Sequence, residues 1–336
     1  DLQRKSDHVI ALDAALESTP VVLGNSVVVG PRSGRLQSFS LADGSASWSK
    51  PLENLGDVLG AVRVYGSDLF FLGTDGAVYR FAANGRKSWR KKIPDAIGYP
   101  GRPLSSGTAV NHCFLSTKRG RVAAISLESG DVTWHRTLTS GALSAPVVAG
   151  ERVIAVDRQG RVYCVDAKTG EPDWKADVHG EVVVEPVVAG DRVLIATTDG
   201  RLVALHLERG EELWSENLEE PLQVAPVAVV GEYLAITQSG RLTIGALADG
   251  RARLAAQVPG RFTISRPAAD GRHGYLVDDE GHVLALRLAD ASQSWSYTCG
   301  GTPGGNLVVA GGRLILGAVD RGLHVLTLDS EAESNR

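Results

Sequence analysis

The chain has 336 residues, enough for two ordinary domains or one large all-β domain. A formal net charge of −4 argues against general nucleic-acid affinity, and 43% hydrophobic with 22% charged residues is a globular composition. No apolar run approaches the roughly 18 residues that would span a membrane as a helix.

The chain starts at Asp1 and contains no Met, as expected of a processed chain that has lost an N-terminal signal, an anchor or a neighbouring domain. The first element is "HVIALDAAL", an extended segment within 7–16 that stands ahead of the first full repeat. Repeats then begin near Ser18. One phrase closes each of the first five: "SLADGSASW" at Trp48, "FAANGRKSW" at Trp89, "SLESGDVTW" at Trp134, "VDAKTGEPDW" at Trp174 and "HLERGEELW" at Trp214. The sixth slot holds Leu254, in "ALADGRARL", and the seventh holds Trp295. The intervals are 41, 45, 40, 40, 40 and 41 residues, so all six tryptophans fall in one repeat. Four positions before each slot stand Gly44, Gly85, Gly130, Gly170, Gly210, Gly250 and then Ala291. About fourteen before stand Gly34, Gly76, Gly120, Gly160, Gly200, Gly240 and Gly281.

The unit from Ser144 to Val178 shows what one repeat builds. "APVVAG", "RVIAVDRQG", "RVYCVDAKTG" and "PDWKADV" are four short strand patterns, the first three closed by turn residues. Four strands in 40–45 residues is the pattern of a β-propeller blade. Seven such units occupy 18–298. An eighth, 305–329, supplies three strands and ends in the polar tail 330–336. The N-terminal segment 7–16 is expected to complete it, because closure by the first strand removes an open edge. The predicted architecture is therefore all-β: one domain over 1–336, an eight-bladed propeller of four-stranded antiparallel blades with the last closed from the N-terminus. Trp48, Trp89, Trp134, Trp174, Trp214 and Trp295 are expected to dock each blade on the next. Each buries about 150–250 Å².

The phrase "VDAKTGEPDW", with "ISLESGDVTW" and "LHLERGEELW", resembles the quinoprotein-type, or PQQ-like, propeller repeat. The resemblance covers essentially the whole chain and implies the same eight-bladed fold. That family holds quinone-dependent dehydrogenases and a non-enzymatic lipoprotein subunit of the outer-membrane β-barrel assembly machinery. The dehydrogenases carry adjacent cysteines and long insertions around quinone and calcium. Here Cys113, Cys164 and Cys299 are far apart and the blades are nearly minimal. The resemblance therefore implies a non-catalytic interaction scaffold of the bacterial envelope, in the periplasm or at the outer membrane. It implies a protein partner such as a barrel-assembly component, no cofactor and a monomeric propeller. A ligand-sensing propeller domain of a larger protein, such as a membrane-anchored kinase, is the alternative, with a quinone dehydrogenase more remote.

Candidate surface residues follow from the turns. Arg35, Arg121, Arg161, Arg201 and Arg241 each follow the turn glycine between the second and third strands, and His282 takes that place in the seventh unit. Six basic groups on one face make a candidate surface for an acidic partner, but the preferred expectation is that each is a solvated turn residue kept by repeat duplication and pairing at most with a local acid. "VDDEG", Val277–Gly281, is the densest acidic cluster and is expected to be solvated. His112, His206, His282 and His324 fall in strands of different units, without a metal-ligand spacing. No hydrolase, zinc-protease or phosphate-loop phrase occurs. The longest inter-blade stretches, "SKPLENLGDVLGA" and "IPDAIGYPGRP", contribute Leu59, Tyr65 and Tyr99 as candidates for an apolar binding patch.

Overall fold

A strand between two neighbouring sheets needs apolar side chains on both faces, and the middle strands of each repeat supply them. In the computed structural model, blade four comprises Val147–Ala149, Arg152–Val156, Arg161–Asp166 and Pro172–Asp177. Val153 to Val156 and Val162 to Val165 are all buried, whereas the outer strand alternates between exposed and half-buried. The described residues are 8–16, 18–30, 35–48, 62–65, 67–73, 76–93, 105–106, 111–117, 119–141, 143–319 and 322–328. No helix occurs among them.

Eight antiparallel sheets follow one another in chain order, and together they form an eight-bladed propeller. Apolar clusters bind each blade to its successor. One joins Ile154, Val156, Val162 and Cys164 of blade four to Val193, Ile195, Val203 and Leu205 of blade five. The ring closes through Ile10, Leu12, Leu16, Val27 and Val29 packed with Ile315, Leu323 and Val325. Inner strands are short, and Pro20, Pro146, Pro186, Pro226 and Pro267 stand just before five of them. A residue without an N–H suits the start of a strand whose edge lines the axis.

The eighth blade takes its outer strand from the other end of the chain. His8–Ala11 runs antiparallel to Gly322–Thr327, with His8 opposite Val325 and Ala11 opposite Gly322. Pairing is shorter than the expected segment 7–16. After Ala11 the chain leaves the sheet, and buried Leu12 and Leu16 anchor it in the core. A Cβ at Gly317 would lie 2.2 Å from Leu16 Cδ2, so Leu16 is wedged against bare backbone.

Blade one has Val21–Leu23, Ser26–Val29 and Gln37–Ser40. Its outer edge is described as far as Trp48, where Ala46 bridges Phe39 and the Ser47 N–H donates to the Ser38 carbonyl at 2.7 Å.

Candidate functional site

The outer strands of blades two to seven all contain a β-bulge in their pairing with the third strand. The extra residue re-aims the strand, and the next inward residue, the tryptophan slot, faces the following blade. There the indole N–H donates to a backbone carbonyl. Trp48 reaches Ala83 at 2.9 Å, Trp89 reaches Leu127 at 3.2 Å and Trp134 reaches Ala167 at 3.0 Å. Trp174 reaches Leu207 at 3.0 Å and Trp214 reaches Leu247 at 2.9 Å. Trp295 packs against the cluster shared by blades seven and eight.

The glycine of the phrase has two duties. Gly170 holds φ +71°, and a Cβ there would lie 2.5 Å from Cε3 of Trp134 in the preceding blade. The same contact would occur at Gly130, Gly210 and Gly250 with Trp89, Trp174 and Trp214. One junction differs. Where Leu254 replaces tryptophan, Ala291 replaces glycine, keeps φ at 56°, and packs in the same cluster as Leu254. The missing indole donor is replaced too. Arg253 donates to the Leu288 carbonyl at 2.8 Å and the Ala289 carbonyl at 2.9 Å, held by Glu232 at 2.5 Å. At the ring closure His8 takes the tryptophan register, and a Cβ on Gly44 would lie 3.1 Å from its ring. Sequence reasoning assigned the glycine to its turn and missed this coupling. The joint change at Leu254 and Ala291 was the available signal.

One face of the ring is built from the turns between second and third strands and the connectors between blades. Within a blade, the connector starts on the turn: Val178 donates to Gly160, Leu218 to Gly200 and Val258 to Gly240, at 2.8–2.9 Å. The connector then meets the next blade's turn: Thr198 donates to Glu181, Gln238 to Pro221 and Asp279 to Arg261. From blade four to blade seven, turns and connectors therefore form one hydrogen-bonded belt.

The predicted basic residues sit on this face, at or just before the start of their third strands, and Arg35, Arg161, Arg201, Arg241 and His282 each have a local partner. Arg35 meets Asp13 at 3.1 Å. Arg161 meets fully buried Asp157 at 2.8 Å, Gln159 at 3.2 Å and Thr139 at 3.4 Å. Arg201 donates to the Val178 carbonyl at 3.0 Å, and Arg241 meets Glu219 at 2.5 Å. Arg121 opens its strand in the same way. His282 Nδ1 lies 2.9 Å from Asp278 Oδ2. Most of these groups tie a blade to the connector that precedes it.

The "VDDEG" cluster corrects an expectation. Asp278 is not solvated; it is 5% exposed. Its carboxylate accepts the Glu280 and His282 backbone N–H groups at 3.0 and 2.8 Å, closing the turn. Asp279 is turned towards Thr263, whose hydroxyl donates to it at 2.7 Å, and Glu280 alone is mainly exposed. Beside this turn lies a cavity of about 520 Å³, bounded by Pro259, Arg261, Glu280, Leu284, Gln293 and Thr298 among others. Nearer the axis, Arg266 and Glu185 pair at 3.6 Å. They stand before the inner strands of blades seven and five, so the pair skips blade six, where the equivalent residue is Ala225.

Burial pushes the Cys113 and Cys164 thiols up to about 12, which removes the thiolate a nucleophile needs. Cys299 is buried and its thiol lies 3.1 Å from the Gly301 carbonyl. Among the described residues, no three His, Cys, Asp or Glu side chains are grouped to hold a metal, and no helix is long and apolar enough to cross a membrane. Leu59, Tyr99 and the Tyr65 side chain lie outside the described residues.

Eight blades, tryptophan-docked junctions and a G-x-x-x-W phrase define a PQQ-like repeat propeller. A family model described as outer membrane protein assembly factor BamB matches residues 8–98 and 118–266, and the chain belongs to that family. Among curated proteins of that name, the one from Alkalilimnicola ehrlichii is 31% identical over 153 residues, 42% of this chain and 38% of the relative. The one from Francisella salina is 25% identical over 156 residues, 43% of this chain and 28% of the relative. Each match therefore spans less than half of the relative's own length. The crystal structure of BamB from Moraxella catarrhalis superposes with a TM-score of 0.80 at 16% identity, covering 96% of this chain and 99% of that one. The computationally designed Ika8 protein gives 0.82 at 12% identity, covering 95% and 99%. At these identities the structural likeness speaks for the fold alone.

Proposed function

We propose that the chain, taken over 1–336 as one monomeric propeller domain, is a non-catalytic scaffold in outer membrane protein assembly. It would act on the periplasmic side of the outer membrane and hold a protein component of the barrel-assembly apparatus. Family membership across the repeats carries this reading. The hydrogen-bonded belt supports it, because a rigid scaffold presenting connector side chains is where binding residues usually sit. The proposed contact face contains Arg35, Arg121, Arg161, Arg201, Arg241 and His282 with the connectors beside them.

The test uses the purified chain as bait for an outer-membrane barrel-assembly protein, with recovery read by mass spectrometry. Arg161 is a poor site for charge reversal, since a glutamate there would face buried Asp157. Val183, 43% exposed on a connector, and Arg158, on a turn, are better. The double variant Val183→Asp/Arg158→Glu is expected to bind at least about tenfold more weakly. Recovery of no assembly component by the unaltered chain sinks the proposal. Undiminished binding by the double variant moves the contact off this part of the belt.

A further inference from the structure

The rim of blade two differs from every other described rim. Its outer strand, Lys87–Lys92, reads KSWRKK and follows Arg86, so 86–92 holds five cations and no acid. All five are exposed. Lys91 pairs with Asp131 of blade three at 2.8 Å, and Arg90 donates to the Tyr79 hydroxyl at 3.1 Å. Arg86, Lys87 and Lys92 form no ion pair among the described residues. The other outer strands are far less basic. Pro172–Asp177 has one Lys against two Asp, Glu212–Asn217 has two Glu and no cation, and Gln293–Thr298 is uncharged.

Charge is also divided along the chain. The described side chains of 18–140 include 10 Lys and Arg against 4 Asp and Glu, whereas residues 141–336 hold 18 against 27. The described parts of blades one to three therefore form a basic sector opposite an acidic one, a dipole that orients the disc in an external field. Lysine on an edge strand commonly blocks unwanted strand pairing, yet no other described outer strand holds more than a single Lys or Arg. The surplus on blade two goes beyond edge protection.

We propose that the rim of blade two docks on an anionic phospholipid surface, with the disc meeting the membrane edge-on. The shape favours a broad polyanion. Trp89 and Lys91 engage blade three, while Arg90 lies against Tyr79, which packs with blade one. The cations thus fan to both sides of an outer strand about 20 Å long. An acidic peptide added as a fifth strand would need the edge backbone that these lysines guard. Juxtaposed phosphate headgroups need only the charges, and each Lys or Arg near such a surface adds a comparable increment of affinity.

The test is co-sedimentation of the full chain with phosphatidylcholine vesicles, with and without about 30 mol% phosphatidylglycerol, at about 50 and 300 mM salt. Expected is binding to the anionic vesicles alone, falling at high salt. The variant Arg86→Glu/Lys87→Glu/Lys92→Glu should lose at least about tenfold in partition. A control with the same change in net charge, Lys168→Glu/Arg209→Glu/Arg251→Glu on turns of blades four to six, should bind as the unaltered chain does. Unchanged tryptophan emission will show that both fold. Absence of binding at low salt, equal binding to neutral vesicles, or equal losses in both variants would each overturn the proposal. So would uptake of polyglutamate or an oligonucleotide without vesicle binding. None of these outcomes depends on whether a barrel-assembly protein is recovered.

Discussion

A glycine and the indole of the preceding blade share one space, so neither can change alone. Gly170→Ala is expected to destabilise by about 2–4 kcal/mol, from the left-handed backbone and the encroachment on Trp134 together. Trp134→Leu should cost about 2–4 kcal/mol by lost burial. The double variant rebuilds the junction that Leu254 and Ala291 already make, and should be less damaged than the sum by about 1–2 kcal/mol. Urea unfolding of the four proteins measures this, and strict additivity would refute the shared-space account. A second residue test concerns Asp270. Burial raises its pKa, but bonds from the Tyr275 hydroxyl and the His273 and Arg272 backbone outweigh that and hold it below the ordinary 3.8. A depressed pKa gives stability that is present above the unfolded value and lost as pH falls through the folded one. Asp270→Asn should therefore melt lower than the unaltered chain at pH 7, with the gap closing below about pH 4. A constant gap across the series would rule this out. The tryptophan positions were legible because a repeat of about forty residues exposes them. Arg253 was not, because its role depends on a backbone carbonyl 35 residues away.

At the scale of the element, a blade was readable as four strand patterns between turns. The acidic turn of blade seven was misread because sequence counts carboxylates, but a turn that aims two N–H groups at Asp278 makes burial affordable. The closing strand was read correctly in place and too long in extent, since Leu12 and Leu16 continue the apolar pattern outside the sheet. Ile10, opposite Leu323 and buried between blades eight and one, is the point on which closure depends. Ile10→Asp should cost at least about 3 kcal/mol, because an unpaired carboxylate replaces apolar contact. The disordered edge so exposed should also promote association, measurable by light scattering during mild heating. A variant as stable and monodisperse as the unaltered chain would show that the ring closes without this strand.

Across the whole molecule, the blade count and ring were legible from periodicity, while the division of charge around the disc needed the arrangement of blades. Consecutive residues make a strand, but a sector of a propeller gathers three repeats and gives their charge a direction. The belt on one face and the basic rim at the circumference point along different axes, so an assembly partner and a phospholipid surface could be held together. Saturating anionic vesicles are therefore expected to leave recovery of a barrel-assembly protein unchanged. Competition between the two would mean that they share a surface.

Blade eight is woven from both ends of the chain, and this sets a timetable for its birth. The partner of His8 is Val325. At about 5–20 residues per second, roughly 15–60 s separate the emergence of the two from a ribosome. Throughout that interval seven blades can stack as an open arc, but the first strand has nothing to pair with. Completion of the ring thus waits for Gly322–Thr327, and a nascent chain stalled before that strand would carry an unsatisfied blade edge at each end of the arc.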